Sequence, residues 1–283
     1  MASAPGLLEG FTEVRGRTPP GSPIYGMGFV IDLSNKVALV TGSARGIGRA
    51  IALRLAQAGA DVVINYVKSR SAAASLAEEI AALNRRVLVV KADVSSREDV
   101  DAMMESVAAH FGQLDIVVSN AASGGFRPLL EAKDAHFDQT MNTNVRPLLY
   151  LVQAGMTLLQ KSAGRSRVIA LSSHGSHRAL PFYGLIGSSK AALESLARHL
   201  AFELGSLGVN VNIVQAGLVE TDSTRLLPGS QQMFDGSVAR SCVGERRLMA
   251  DDVADVVLYL ASPLSDMVQG QTIVVDGGAS LFA

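Results

Sequence analysis

The chain has a single cysteine, Cys242, among 283 residues. One thiol excludes an intrachain disulfide and argues against a cysteine-ligated metal site, so no metal is expected. A reducing, cytoplasmic setting is the plain reading. Excess positive charge is also missing: 25 Lys and Arg stand against 26 Asp and Glu, a formal net charge of -1. Nothing in that balance favours a phosphate backbone, which argues against nucleic acid as a partner. No apolar run approaches the roughly 20 residues that span a bilayer, and the first residues lack the charged start and long apolar core of a signal peptide. No membrane partner is expected. What the chain does have is a large apolar share, 48%, which excludes disorder throughout and suffices for one large domain with a sizeable core.

The opening "MASAPGLLEGFTEVRGRTPPGSPIYGMG" is rich in Gly, Pro and Ser. Residues 1–30 are read as an N-terminal tail, with Met27 as an alternative start, and residues 31–283 as the domain. From "KVALVT" onward, short runs rich in Val and Ile alternate with amphipathic ones. The strand candidates are "KVALVT", "DVVINY" (61–66), "RVLVVKA" (86–92), "LDIVVSN" (114–120), "RVIALSS" (167–173), "VNVNIV" (209–214) and "QTIVVD" (271–276). Near-continuous apolar runs suit strands buried on both faces of a parallel sheet. Residues 46–59 and 96–112 carry apolar residues at helical spacing. This alternation predicts an α/β fold, a single doubly wound, Rossmann-like parallel sheet with helices on both faces. Residues 218–249 break the rhythm and mix Leu226, Leu227, Met233 and Phe234 with Gly and Pro. Lying after a strand's C-terminal end, where ligands bind in such folds, they are read as a substrate lid.

After the first strand comes "TGSARGIG". Gly42, Gly46 and Gly48 allow backbone N–H groups and a helix N-terminus to approach a pyrophosphate. At the end of the second strand a carboxylate would hold a ribose 2′-hydroxyl and select NAD. This chain has "INYVKSR" instead: Tyr66 takes that place, followed by Lys68 and Arg70, with Arg45 in the glycine turn. Cations there attract a 2′-phosphate, so the expected cofactor is NADPH.

"TGSARGIG", "SNAAS" (119–123), the order Ser, Tyr, Lys and the closing "GQTIVVDGG" (270–278) together resemble the short-chain dehydrogenase/reductase family over residues 34–283. The resemblance implies a nicotinamide-dependent enzyme, homotetrameric or dimeric. It assigns Gly42, Ser43, Arg45, Gly46, Ile47 and Gly48 to the cofactor turn, Asp93 with Val94 to the adenine, and Asn120 with Ala121 to the cofactor's flank. Gly217 and Thr221 also match cofactor positions. The same resemblance makes Asn144 a support for a relay water, Ser173 a substrate-orienting hydroxyl, and Lys190 the holder of the nicotinamide ribose and the group that acidifies a catalytic tyrosine. Ser119-Asn120-Ala121-Ala122 and Ala216-Gly217 depart mildly from the family's usual Asn-Asn-Ala-Gly and Pro-Gly.

One departure is serious. Ile186 stands four positions before Lys190, where the family places its tyrosine; Tyr183 stands seven before. Tyr-x6-Lys resembles the enoyl-acyl-carrier-protein reductases within the family. "NAASGGFRPLLE", "SSHGSHR", "YGLIGSSKAALE" and "GQTIVVDGGASLFA" resemble their NADPH-dependent third type. Seven residues of helix return to within about 20° of the same face, about 10.5 Å along it, so Tyr183 and Lys190 share a face, with Tyr183 near the helix start. In conjugate reduction the negative charge develops on the thioester oxygen, two atoms beyond the carbon that takes the hydride, and a donor set further from the lysine fits that span. The catalytic set is thus Tyr183, Lys190, Ser173 and Asn144. Ser188 and Ser189 are read as small packing residues, His174 and His177 as loop residues, with His174 near substrate. Arg127 and Arg178 are read either as contacts for a carrier's phosphopantetheine or acidic surface, or as solvated charges. The expected activity is NADPH-dependent reduction of an enoyl thioester, carried by acyl carrier protein or CoA. A carbonyl reductase of secondary metabolism and a nucleotide-binding regulator without turnover are the alternatives.

Overall fold

The computed structural model describes residues 31–227 and 229–281; the N-terminal tail expected from sequence lies outside them. Seven strands form one parallel sheet in the order β3-β2-β1-β4-β5-β6-β7. They are β1 (Val37–Val40), β2 (Asp61–Tyr66), β3 (Val87–Lys91), β4 (Ile116–Ser119), β5 (Ser166–Ser173), β6 (Val209–Ala216) and β7 (Thr272–Val275). Each falls on one of the runs predicted from sequence. The chain builds outward from β1 to β3, then crosses back to place β4 on the other side of β1. That reversal opens a crevice at the carboxyl ends of β1 and β4, the point where such sheets bind ligands.

The two-residue period of a strand divides the core. Ala38, Val40, Ile116, Val118, Ile169 and Leu171 face one layer, with buried residues of α1 (Gly46–Gln57), α2 (Arg70–Ala82) and α8 (Ala250–Ala261). Val37, Leu39, Val117, Val168 and Ala170 face the other, with α3 (Arg97–Phe111), α5 (Arg146–Leu159) and α6 (Gly184–Leu204). Apolar residues on both faces of a strand thus serve two helical layers. Ser96 caps α3 by accepting from the Asp99 N–H at 3.1 Å, and Gly112 ends it with φ 76°; side-chain capping and a left-handed glycine account for both boundaries. Helix α4 (Asp134–Asn144) precedes α5. The sequence-predicted lid contains α7 (Ser230–Ala239) and a 3-10 turn over Thr224–Leu226. Leu227 and Phe234 are buried, whereas Leu226 is 76% exposed.

At the amino ends of β1 and β4, the buried Asp115 carboxylate accepts from the Val37 N–H at 2.9 Å, Gln113 Nε2 at 2.8 Å and Lys36 Nζ at 3.1 Å. The opposite ends of these two strands carry the glycine turn and Asn120, so this clamp sets their register. Asp115→Ala orphans a buried N–H and is expected to destabilise the protein by roughly 1–3 kcal/mol, read as an earlier midpoint in urea unfolding at fixed protein concentration.

Candidate active site

The glycine turn between β1 and α1 is held from three strands. Thr41 Oγ1 accepts from the N–H groups of Asn120 and Ala121 at 2.9 and 3.0 Å. Asn120 Nδ2 donates back to the Thr41 carbonyl at 2.8 Å. Asn65, buried at the end of β2, accepts from the Gly42 N–H at 3.1 Å and donates to the Ala92 carbonyl at 3.0 Å, and its own N–H donates to Ser43 Oγ at 3.1 Å. Gly42 and Gly46 have φ of 62° and 56°, conformations that other residues adopt at a cost. A Cβ on Gly48 would lie 2.5 Å from Asn120 Nδ2 and 2.6 Å from the Gly42 carbonyl, so the helix starts as close to the strands as a backbone allows.

Arg45 is the N-cap of α1, its side chain makes no cap bond, and the first turn carries no acidic residue. The first N–H groups of a helix, with its dipole behind them, form an anion cradle. Open backbone donors, close-approach glycines and no competing carboxylate fit a dinucleotide's pyrophosphate. Thr221 closes the other side: a Cβ on Gly46 would meet its Cγ2 at 3.6 Å. Ile47 is half-buried in the same turn of helix and Val94 is buried. Gly217 packs where a Cβ would come within 2.8 Å of Asp276 Cβ.

Around the second strand's end Tyr66 is half-buried, while Lys68 and Arg70 are exposed. Arg45 is 61% exposed and lies 3.8 Å from Asp222, so part of its charge is met within the protein. Asp93 is exposed, and its Oδ1 accepts from the N–H and hydroxyl of Ser95 at 2.9 and 2.7 Å. Among the described residues, none donates a hydrogen bond to its second carboxylate oxygen.

The catalytic candidates converge from β5, α4 and α6. Tyr183 is the N-cap of α6, and its Oη lies 3.1 Å from Ser173 Oγ at the end of β5. Its ring packs on Gly175, where a Cβ would come within 2.5 Å of the ring carbons, and it stacks with Phe126 at a centroid distance of 6.1 Å. Ile186, at the family's tyrosine position, is buried, and its Cγ1 would be 2.5 Å from a Cβ on Gly124. It fills the space under the loop after β4.

Lys190 is buried, donates from Nζ to the Leu171 carbonyl at 2.7 Å, and has a pKa lowered to about 8. Burial lowers it, and the Glu194 carboxylate, one turn along α6, opposes that. Glu194 in turn accepts a short hydrogen bond from Ser172 Oγ. The expectation that Lys190 acidifies Tyr183 is not met. Burial pushes the phenol above its ordinary value, and only the Ser173 hydrogen bond pulls it down. Desolvation penalises phenolate here more than the Ser173 hydrogen bond favours it.

Asn144 ends α4. Its Oδ1 accepts from the Ser123 N–H at 2.8 Å and its Nδ2 donates to Ser189 Oγ at 2.9 Å, while Ser189 Oγ donates to the Ile186 carbonyl at 2.7 Å. Its amide therefore ties the β4 loop to α6, and Ser189 is a hydrogen-bonding link as well as a packing residue. The His174 ring turns to Asp276 (3.3 Å) and Gln215 (3.3 Å), and burial lowers its pKa. Thr41, Asn65 and Asp276 carry much of this framework without having been singled out from sequence. The available signal was a polar residue inside or just after an apolar strand, beside a glycine turn.

Among the described residues, no group of three His, Cys, Asp or Glu could hold a metal ion, and no helix is long and apolar enough to cross a membrane. The family model described as Enoyl-(Acyl carrier protein) reductase matches residues 42–280. The chain is 37% identical to 1-cyclohexenylcarbonyl-CoA reductase of Streptomyces collinus over 254 residues, covering 88% of each protein. It is 34% identical to the hydroxynaphthalene reductase-like protein Arp2 of Metarhizium acridum, covering 87% of this chain and 96% of that one. A short-chain dehydrogenase of Burkholderia cenocepacia, solved in complex with NADP, superposes with a TM-score of 0.78 at 37% identity over 87% of this chain and 98% of the other. The crevice is thus that of an oxidoreductase, and the chain belongs to the short-chain dehydrogenase/reductase family, within its Enoyl-(Acyl carrier protein) reductase group.

Proposed function

We propose that the protein reduces the C2–C3 double bond of an enoyl thioester with NADPH, in fatty-acid or polyketide-type biosynthesis. The observation that carries this reading is the placement of Tyr183: its hydroxyl meets Ser173 at 3.1 Å from the start of α6, while Ile186 fills the position four before Lys190. When bound, NADPH would supply the hydride that the β-carbon takes up. Tyr183 Oη donates to the thioester oxygen as enolate charge develops there, and Ser173 Oγ holds the phenol in place. A phenol kept protonated by burial suits that donor role, since a buried donor aimed at a developing oxyanion lowers the barrier by roughly 3 kcal/mol or more. Lys190 holds the nicotinamide ribose, and Asn144 fixes α6 against the β4 loop. Residues 218–249 cover the acyl chain. The crevice residues Gly42, Ser43, Gly46, Gly48, Asn120, Ala121, Asp93, Gly217 and Thr221 hold the cofactor, with Arg45, Lys68 and Tyr66 at the 2′-phosphate. The family resemblance supports a homotetramer or a dimer, and the single cysteine supports a cytoplasmic setting.

A carbonyl reductase is the second reading, favoured by the hydroxynaphthalene reductase-like relative. Turnover of crotonyl thioester against acetoacetyl thioester separates the two; reduction of the acetoacetyl substrate alone excludes the first.

Three outcomes follow from the assigned roles. Tyr183→Phe keeps the fold and NADPH binding but lowers enoyl turnover by at least about tenfold, and Ile186→Tyr does not create strong ketone reduction; unchanged enoyl turnover in Tyr183→Phe shows that the acid lies elsewhere. Arg45→Ala with Lys68→Ala raises the KM for NADPH far more than that for NADH, whereas equal use of both cofactors by the unmodified protein contradicts the assignment. Finally, kcat/KM falls as pH rises through about 8, where free Lys190 loses its proton. Glu194 raises that pKa, so Glu194→Gln moves the descending limb to lower pH; a limb that stays in place rules out Lys190 as its origin.

A further inference from the structure

Ser173 is followed at once by a 3-10 turn, His174–Ser176, on which both members of the Tyr183–Ser173 pair rest. Gly175 of this turn seats the Tyr183 ring, and its carbonyl oxygen would lie 2.5 Å from a Cβ on Gly187 of α6. A shift of the turn therefore moves Ser173 Oγ and the seat of the phenol together. Within the turn, the His174 carbonyl accepts from the His177 and Arg178 N–H groups at 3.2 and 3.0 Å. The rest of its support comes from the end of the chain. After β7, Gly277 and Gly278 take φ of 64° and 78°, and the Asp276 carboxylate accepts from the N–H groups of Gly278 and Ser280, each at 2.8 Å. The same carboxylate lies 3.3 Å from His174 Nε2, and Arg178 donates to the Ser280 carbonyl. Residues 276–280 thus fasten the segment after β5 at His174 and again at Arg178.

The hydrogen bonds fix the state of the imidazole. Gln215 Nε2, on β6, donates to His174 Nδ1 at 3.3 Å, so Nε2 carries the proton that Asp276 accepts. The His174 and Asp276 side chains are only 16% and 7% exposed, which keeps water from replacing either partner. Protonation of Nδ1 would set a second donor against the Gln215 amide. The surrounding groups agree with a neutral ring. Burial lowers the His174 pKa, the Asp276 carboxylate opposes that, and His177 and Arg178 lower it further. On α6, which packs against this turn, Tyr183 faces Ser173 and Lys190 faces the Leu171 carbonyl. The bonds of the neutral ring are therefore kept above the ordinary histidine value and lost as the pH falls through the lowered one.

We propose that His174 is a positioning residue: bound to Asp276, it holds the turn on which Ser173 and Tyr183 rest, so that residues 276–280 form part of the active-site framework. Its effect on turnover rests on the reading of Tyr183 as the acid; its effect on the placement of the phenol does not.

The test is NMR of the full chain with tyrosine isotope-labelled at Cζ, the Tyr183 resonance being the one lost in Tyr183→Phe. At neutral pH, His174→Ala displaces that resonance and lowers kcat for crotonyl thioester by about tenfold, since a misplacement near 1 Å can cost up to about 10² in rate; NADPH binding, read by fluorescence, is retained. In the unmodified protein the Tyr183 resonance moves toward the same displaced position as the pH falls through the titration of His174, followed by its own imidazole resonance. Asp276→Asn removes the carboxylate that favours the imidazolium, so the His174 titration moves to lower pH; a titration that stays in place overturns the pairing. A Tyr183 resonance left in place by His174→Ala overturns the proposal, even where it follows pH in the unmodified protein, because such a response is the field of the imidazolium and not support by the ring. Where His174→Ala does not fold, the unmodified protein decides: a Tyr183 resonance that ignores the His174 titration overturns the proposal. A displaced resonance with unchanged kcat leaves the placement standing and counts against Tyr183 as the acid, which turnover of Tyr183→Phe tests separately.

Discussion

The hydrogen bond between Tyr183 and Ser173 is the contact on which the proposed chemistry depends, and the elements around it hold its two ends. Ser173 stands at the carboxyl end of β5, a strand paired on both sides and buried along nearly its whole length. Tyr183 stands at the start of α6, whose buried face runs through Leu193, Ala197 and Leu200 into the core. Between them Gly175 lets the phenol ring lie flat against the backbone. Burial of that ring has a consequence for reactivity: the phenol titrates high and remains a donor. A donor is what a developing enolate needs; a phenolate base would suit the opposite direction of proton flow.

The nucleotide crevice rests on the same sheet by a different device. The glycines confer close approach but no rigidity, and rigidity comes from Thr41, Asn65 and Asn120, which bind the turn to the ends of β1, β2 and β4. The sheet's reversal of direction between β1 and β4 places this crevice beside the β5–α6 pair. In the proposed reaction, cofactor crevice and acid therefore belong to neighbouring strand ends.

Much of this was legible before any coordinates. The seven strands read as Val- and Ile-rich runs because both faces of a parallel strand are buried, and the glycine turn announced itself by position between strand and helix. Tyr183 was singled out by its seven-residue spacing from Lys190. Other features resist sequence reading for physical reasons. The direction of the Tyr183 pKa depends on how deeply the ring is buried, which spacing along a helix does not specify. His174 follows Ser173 directly, yet its ring turns to Asp276 and Gln215, because residues adjacent on an extended chain point to opposite sides. Asn144 was assigned to support a relay water; that its side chain also ties Ser123 to Ser189 was not legible, since a buried amide is satisfied by whichever loop the fold brings near it.

The displaced tyrosine makes one claim about chemistry above all: the hydride lands two atoms away from the oxygen that Tyr183 serves. Deuteride transfer from NADPH labelled at the nicotinamide C4, followed by NMR of the products from a mixture of crotonyl and acetoacetyl thioesters, reads that directly. The account predicts butyryl thioester with deuterium at C3 and acetoacetyl thioester recovered unreduced. Deuterium on the carbinol carbon of 3-hydroxybutyryl thioester, with the crotonyl substrate untouched, would contradict it.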